Sequence, residues 1–163
     1  MMALATRRRQ NGFSFIELLA SAAILALLAS VAVPFVETTV KRQKEQALRV
    51  ALRDIRQAID NYKQAGMAGR IAVDKDKSGY PPSLVELVAG VEDLSRAGKP
   101  KVYFLRHIPR DPFNSDVSVT AIESWGKRSF TSDADRPREG DDVFDVYSTS
   151  SQTGLNGVPY GEW

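Results

Sequence analysis

Apolar residues are distributed unevenly along this chain of 163 residues, and the longest uncharged run covers residues 18–36. As a helix, this run of about 19 residues reaches ~28 Å, close to the ~30 Å hydrocarbon thickness of a bilayer. It therefore predicts one membrane-spanning helix. Pro34 removes a backbone hydrogen bond, which predicts a kink or a loosened turn near residues 30–34.

Beyond this run the pattern is that of an amphipathic helix. Residues 36–65 contain neither proline nor glycine, so nothing in this segment interrupts a helix. Apolar side chains recur every three or four positions on one helix face, at Leu48, Leu52, Ile55, Ile59 and Tyr62. The opposite face carries the charged side chains Arg49, Arg53, Arg56, Asp60 and Lys63. We expect one continuous helix that ends near the glycines of residues 66–69, with residues 37–65 outside the membrane.

Residues 66–163 have the pattern of a small globular head. A capping-box pattern at residues 83–86 predicts a short helix that ends at Gly90. Strand-like composition or period-two alternation predicts strands at residues 101–105, 117–122 and 143–147. Residues 123–142 carry too much charge to be expected in the core. The expected fold class is α+β, a long N-terminal transmembrane helix whose C-terminal half packs against a small antiparallel β-sheet.

Glu17 is a carboxylate placed directly before the uncharged run. A carboxylate at the centre of a bilayer costs about 2.5–3.5 kcal/mol, and nothing within the segment offsets that cost. Gly12 lies between the basic residues 7–9 and the apolar helix. Cleavage after Gly12 would create an α-amine at Phe13, and a neighbouring copy could offer that amine to Glu17.

Residues 12–17, with the sequence GFSFIE, and Pro34 closely resemble the processing signal of type IV pilins and type II secretion pseudopilins. The resemblance extends from residue 7 to about residue 65. It implies that a membrane prepilin peptidase cuts after Gly12 and methylates the amine of Phe13. Residues 1–12 would then be a leader peptide and residues 13–36 the transmembrane helix, with Glu17 and Pro34 serving assembly.

Three segments of the head resemble the major pseudopilin of type II secretion, namely residues 76–81, 109–113 and 144–148 with Trp163. That family usually binds calcium through several carboxylates in its C-terminal loop. Here residues 149–162 hold one carboxylate, Glu162, whereas calcium takes six to eight oxygen ligands. We therefore expect no calcium site, and a tail held by packing of Val158, Tyr160 and Trp163.

Other candidate sites have weak patterns. Residues 74–79 imitate the first half of an EF-hand loop, but its twelfth position is Val85 instead of glutamate. The cluster Glu139, Asp141 and Asp142 fits a solvated surface better than a metal site. His107 is the only histidine, no catalytic motif is present, and the absence of cysteine excludes disulfides and thiol chemistry. We expect no enzymatic activity, no cofactor and no metal.

Two simpler interpretations compete for the N-terminal segment. An ordinary signal peptide would be cut near residues 30–32, but Glu17 and the apolar residues through Val36 argue against it. A plain membrane anchor leaves Gly12 and Glu17 unexplained. Removing the three arginines of the leader changes the formal charge from +2 to −1. No nucleic-acid partner is therefore expected.

The resemblance implies a structural subunit of the type II secretion pseudopilus, a helical homopolymer in contact with other pseudopilins. A prepilin peptidase, an inner-membrane platform protein and a secretion ATPase would act on it. The arginines of residues 7–9 place the N-terminus in the cytoplasm and the head in the periplasm. One alternative is a type IV pilin for adhesion, motility or DNA uptake. Another is a membrane-anchored periplasmic binding domain that acts as a monomer and does not need Glu17.

Overall fold

The computed structural model describes residues 12–74 and 77–163, with the backbone alone for residues 31–34. Residues 1–11 of the predicted leader, and Asp76 of the first head segment, lie outside the described residues. The chain forms two compact units, the first ending at Val40 and the second comprising Lys41–Trp163. The expected α+β class is confirmed, because one long N-terminal helix precedes short antiparallel strands.

Helix α1 spans Phe15–Met67 and has 53 residues. It continues through Pro34, and the predicted kink there stays a prediction. The helix ends where the sequence predicted, because Gly69 takes a positive φ of 67° that favours glycine. The N–H of Arg70 donates to the carbonyl of Ala65 at 2.9 Å, which closes the last turn.

The predicted apolar stripe of α1 is buried along its whole length and forms one side of the core. Its five members are Leu48, Leu52, Ile55, Ile59 and Tyr62. They belong to one hydrophobic cluster with Trp125, Val146 and Tyr160 of the head. Burial of each large side chain contributes about 1.5–3 kcal/mol, so this face fixes the helix in the second unit.

Helix α2 spans Leu84–Ala89, as predicted, and Gly90 follows it with a φ of 78°. Ser83 occupies the N-cap position but its side chain makes no capping hydrogen bond. Strand β1, Val91–Glu92, pairs antiparallel with strand β2, Lys101–Val102. The strand predicted at residues 101–105 ends early, because the N–H groups of both Phe104 and Leu105 donate to the carbonyl of Leu87.

A second antiparallel pair joins strand β3, Trp125–Arg128, to strand β4, Asp145–Ser148. The expectation that residues 123–142 lie outside the core is wrong at β3, where Trp125 is buried and its Nε1 donates to the carbonyl of Pro109 at 2.8 Å. Strand β4 is the strand predicted at residues 143–147, displaced towards the C-terminus.

The strand predicted at residues 117–122 is wrong. Val117 is 92% exposed, and Ser124 donates its N–H to the carbonyl of Thr120 at 3.0 Å, as in a helical turn. The side chains of Thr120 and Glu123 each accept a hydrogen bond from the other residue's N–H, which is a capping box. Local polar contacts thus favour a turn over the strand that the alternation suggested.

Two side chains of the predicted charged face of α1 contact the head. Arg56 binds the carboxylate of Asp145 at 2.7 Å and donates to the main-chain oxygens of Val146 and Trp163. Lys63 donates to the carbonyl of Ser78, and its Nζ lies 4.1 Å from the ring centroid of Tyr80. These side chains extend the contact of α1 with the head beyond the apolar stripe.

Candidate functional site

The predicted processing and assembly residues lie at the beginning of α1. Residues 12–14 are not helical, and α1 begins at Phe15. The N–H groups of Glu17 and Leu18 both donate to the carbonyl of Ser14, at 3.0 and 3.1 Å. Glu17 therefore lies in the first helical turn, where a carboxylate interacts favourably with the helix dipole.

The carboxylate of Glu17 is exposed and has no ion pair or side-chain hydrogen bond among the described residues. Its neighbours in sequence are large exposed apolar side chains, namely Phe13, Phe15, Ile16, Leu18 and Leu19. Ser21 donates to the main-chain oxygen of Glu17 and leaves the carboxylate open. The carboxylate is therefore open to pairing with a group outside the described residues.

Gly12 is not required by the packing of the described residues. A side chain at this position would meet no atom within 4 Å among the described residues. The predicted role of Gly12 in processing stays a prediction.

Among the described residues, α1 is the one helix long and apolar enough to cross a membrane. The described side chains of residues 12–30 and 35–40 are all exposed. An apolar surface of this extent calls for a membrane or another protein to cover it. The side chain of Pro34 lies outside the described part of the structure, so its predicted role in assembly stays a prediction.

The three head segments that carry the resemblance meet in space. Asp111 is buried, and its carboxylate accepts hydrogen bonds from Ser148 Oγ at 2.6 Å and from the N–H of Phe113 at 2.8 Å. Tyr80 contacts Phe144 edge-on at 5.0 Å between ring centroids. The sequence pattern placed these segments in order but gave no sign that they join.

The prediction for the C-terminal tail is confirmed for Tyr160 and Trp163, which pack on the hydrophobic core, but not for Val158. Tyr160 is buried, stacks on Phe113 at 3.9 Å, and contacts Trp163 edge-on. Val158, expected to pack as well, is 37% exposed. Glu45 of α1, which sequence reasoning missed, accepts the hydroxyl hydrogen bond of Tyr160 at 3.0 Å. Burial and this carboxylate raise the pKa of Tyr160 to about 12.

Within residues 12–74 and 77–163, no group of three or more acidic, histidine or cysteine side chains could hold a metal ion. The carboxylate of Asp142 accepts hydrogen bonds from Ser129 Oγ and from the N–H of Phe130, at 2.8 and 2.9 Å. Burial opposes its charge, but these hydrogen bonds and one from Ser78 lower its pKa below the usual value. Glu139 pairs with Lys127 at 3.2 Å, and His107 is exposed.

Comparison with known proteins agrees with the N-terminal geometry. The family described as the prokaryotic N-terminal methylation motif matches residues 7–33, which include Gly12, Phe13 and Glu17. The chain is 26% identical to type II secretion system core protein G of Aeromonas hydrophila over 125 residues, covering 74% of this chain and 80% of that protein.

Proteins of the same name from two other bacteria are similarly related. The protein from Klebsiella pneumoniae is 28% identical over 124 residues, covering 74% of this chain and 81% of its own. That from Dickeya chrysanthemi is 26% identical over 124 residues, covering 74% of each. No solved structure matches the chain significantly.

Proposed function

We propose that this chain, a member of the type IV pilin-like superfamily by its methylation motif and its likeness to core protein G, is a structural subunit of the type II secretion pseudopilus. Such a filament grows in the periplasm and helps to export folded proteins across the outer membrane. The observation that carries the proposal is Glu17, an exposed carboxylate without a partner among the described residues, on an apolar helix directly after the methylation signal.

Assembly follows from the chemistry of two residues. Prepilin peptidase cuts after Gly12 and methylates the new amine of Phe13. A methylated amine keeps its positive charge, so it remains a suitable partner for a carboxylate. When a subunit enters the filament, the Glu17 carboxylate of one copy pairs with the Phe13 amine of its neighbour. In apolar surroundings this pairing offsets the large penalty of two isolated charges.

The membrane holds the subunit before assembly. The apolar part of α1 spans the inner membrane once, with the arginines of residues 7–9 in the cytoplasm and the head in the periplasm. A platform protein and a secretion ATPase extract the subunit into the filament, where it contacts other pseudopilins. The subunit acts by packing and has no catalytic step. A type IV pilin is not favoured, since the relatives found are named as core protein G.

The test is filament yield from the variant Glu17→Leu, produced together with a complete secretion system. The variant should insert into the membrane, because it loses a costly charge, and it should still be cut after Gly12. Filaments sheared from the cells should fall at least about tenfold, which corresponds to ~1.4 kcal/mol for the lost pairing.

Glu37→Leu is the matched control, because it removes an exposed carboxylate from the same helix at a distance from Phe13. It should leave the yield unchanged. Equal yields from Glu17→Leu and the unmodified chain would exclude the pairing. Absence of filaments from the unmodified chain, despite processing and active machinery, would exclude the proposed function itself.

A further inference from the structure

The C-terminal tail forms a small closed loop over residues 152–160. Thr153 and Pro159 form an isolated antiparallel bridge, and the N–H of Gly154 donates to the carbonyl of Val158 at 2.9 Å. Gly157 turns the chain with a φ of 80° and donates its N–H to the carbonyl of Gly154 at 3.0 Å. The loop thus has internal hydrogen bonds but few buried side chains, with Tyr160 as its apolar anchor.

Two side chains of α1, one helical turn apart, bind this loop from outside. The Nζ of Lys41 donates to the carbonyl of Thr153 at 2.7 Å. The carboxylate of Glu45 accepts from the N–H of Leu155 at 2.7 Å and from the hydroxyl of Tyr160 at 3.0 Å. Glu45 is only 4% exposed, and Arg49 lies 4.0 Å from its second oxygen. Hydrogen bonds to a buried charged group are among the stronger ones in proteins.

The resemblance to the major pseudopilin implies calcium at this tail, but the oxygens present do not fit the ion. The main-chain oxygens of residues 152, 153, 154, 158, 159 and 160 already accept protein hydrogen bonds. The one carboxylate of residues 149–162, Glu162, is exposed and has no acidic neighbour in the loop. The ammonium group of Lys41 on the Thr153 carbonyl would also repel a second cation there.

We infer that Lys41 and Glu45 form a clamp that holds the tail loop to α1 and takes the place of a divalent cation. Lys41 supplies a positive charge to a loop carbonyl, as a bound cation would. Glu45 satisfies a loop N–H and the buried Tyr160 hydroxyl, which no cation could do. The clamp depends on this chain's own side chains and does not depend on whether the chain forms filaments.

The first experiment measures thermal unfolding of the full chain in detergent, in EDTA and then with calcium or magnesium chloride. An ion bound to the folded state alone at a hundredfold excess over its Kd would raise stability enough for a shift of several degrees. We expect EDTA and calcium to change the Tm by less than about 1 °C, because no ion is linked to folding. A Tm that drops several degrees in EDTA and recovers with calcium but not with magnesium would overturn the inference.

The second experiment removes the clamp by Glu45→Met and, separately, by Lys41→Met, each of which takes away the polar end of the side chain and keeps an unbranched stem. Glutamine is not used at position 45, because its carbonyl oxygen could still accept both hydrogen bonds. Glu45→Met should lower the Tm by about 5 °C or more, and Lys41→Met by about 2–3 °C. Arg42→Met and Asp54→Met are matched controls, since both residues are exposed on the same helix. If both clamp variants melt like the unmodified chain, the clamp is wrong.

Hydrogen exchange separates the clamp from a general loss of stability. The Leu155 amide donates directly to Glu45, so its exchange should become at least about tenfold faster in Glu45→Met than in Asp54→Met under native conditions. An unchanged Leu155 exchange rate in Glu45→Met would contradict the clamp even if the Tm fell. If Glu45→Met does not fold, Lys41→Met tests the clamp through the melting temperature.

Discussion

The two halves of α1 have the same helical geometry, but only the C-terminal half packs against another part of the chain. From Lys41 onward, one face of the helix is buried against the head, with Leu48, Ile55 and Ile59 at 0% exposure. From Phe15 to Val40, every described side chain is exposed, including large apolar ones such as Ile24. The C-terminal half is stabilised by its own chain, whereas the N-terminal half needs a membrane or neighbouring subunits. The residues with a proposed role in processing and assembly lie in the half that the chain leaves uncovered.

A matched pair of substitutions should show the largest difference in stability between the two halves of α1. Ile55→Ala removes a fully buried side chain and should lower the free energy of unfolding by about 2–5 kcal/mol. Ile24→Ala makes the same chemical change at a position 60% exposed and should alter it by less than about 0.5 kcal/mol. Thermal or urea unfolding of the full chain in detergent measures both. Equal losses of unfolding free energy in the two variants would contradict the difference in packing between the two halves.

The charged face of α1 offers a second, smaller contrast. Arg56→Ala breaks the ion pair with Asp145 and two hydrogen bonds to main-chain oxygens, so we expect a loss of about 1–2 kcal/mol from this partly exposed site. Arg53→Ala removes an arginine that is 73% exposed and lies 3.7 Å from its neighbour Asp54. Its effect should be about 0–0.5 kcal/mol. Similar losses in the two variants would show that Arg56 does not tie α1 to β4.

The smallest expected effect is a pH dependence in the head. Hydrogen bonds from Ser95 hold the pKa of Asp93 below its usual value despite burial, and Arg70 at 3.2 Å adds to the effect. Because the pKa is lowered in the folded state, this stabilisation is present above the unfolded pKa of about 3.9 and is lost as the pH falls through the folded value.

The variant Asp93→Asn should therefore have a lower Tm than the unmodified chain at pH 7. This difference in Tm should become smaller below about pH 4. Asp54→Asn is the control, since Asp54 is exposed and no strong contact holds it. A gap that stays constant from pH 7 to acid would contradict the assigned role of the charge.

Sequence reasoning found what local periodicity encodes. The stripe from Leu48 to Tyr62 and the helix end near Gly69 follow from spacing and glycine alone, and both are confirmed. The segment of residues 12–17 could also be recognised from the sequence, because an isolated carboxylate next to an apolar membrane-length run is energetically costly. These signals need no knowledge of distant residues.

The sequence was misleading where partners lie far apart along the chain. Arg128 belongs to residues 123–142, which looked too charged for the core, yet it pairs with Asp145 across the β3–β4 ribbon at 3.2 Å. Lys41 and Glu45 belong to no pattern that the sequence analysis singled out, although they bind the tail more than one hundred positions away. The turn at Thr120 is different, because its capping box with Glu123 is itself a local sequence pattern, and it competes with the period-two alternation from which the strand was predicted.

The central claim is that the uncovered half of α1 carries a processed, assembly-competent N-terminus, and intact-mass analysis tests it most directly. The chain is produced in cells with active prepilin peptidase and purified from the membrane. The mature protein should have the mass of residues 13–163 plus one methyl group, with the methyl on the amine of Phe13. An N-terminus at Val33, or a chain that keeps residues 1–12, would contradict the account.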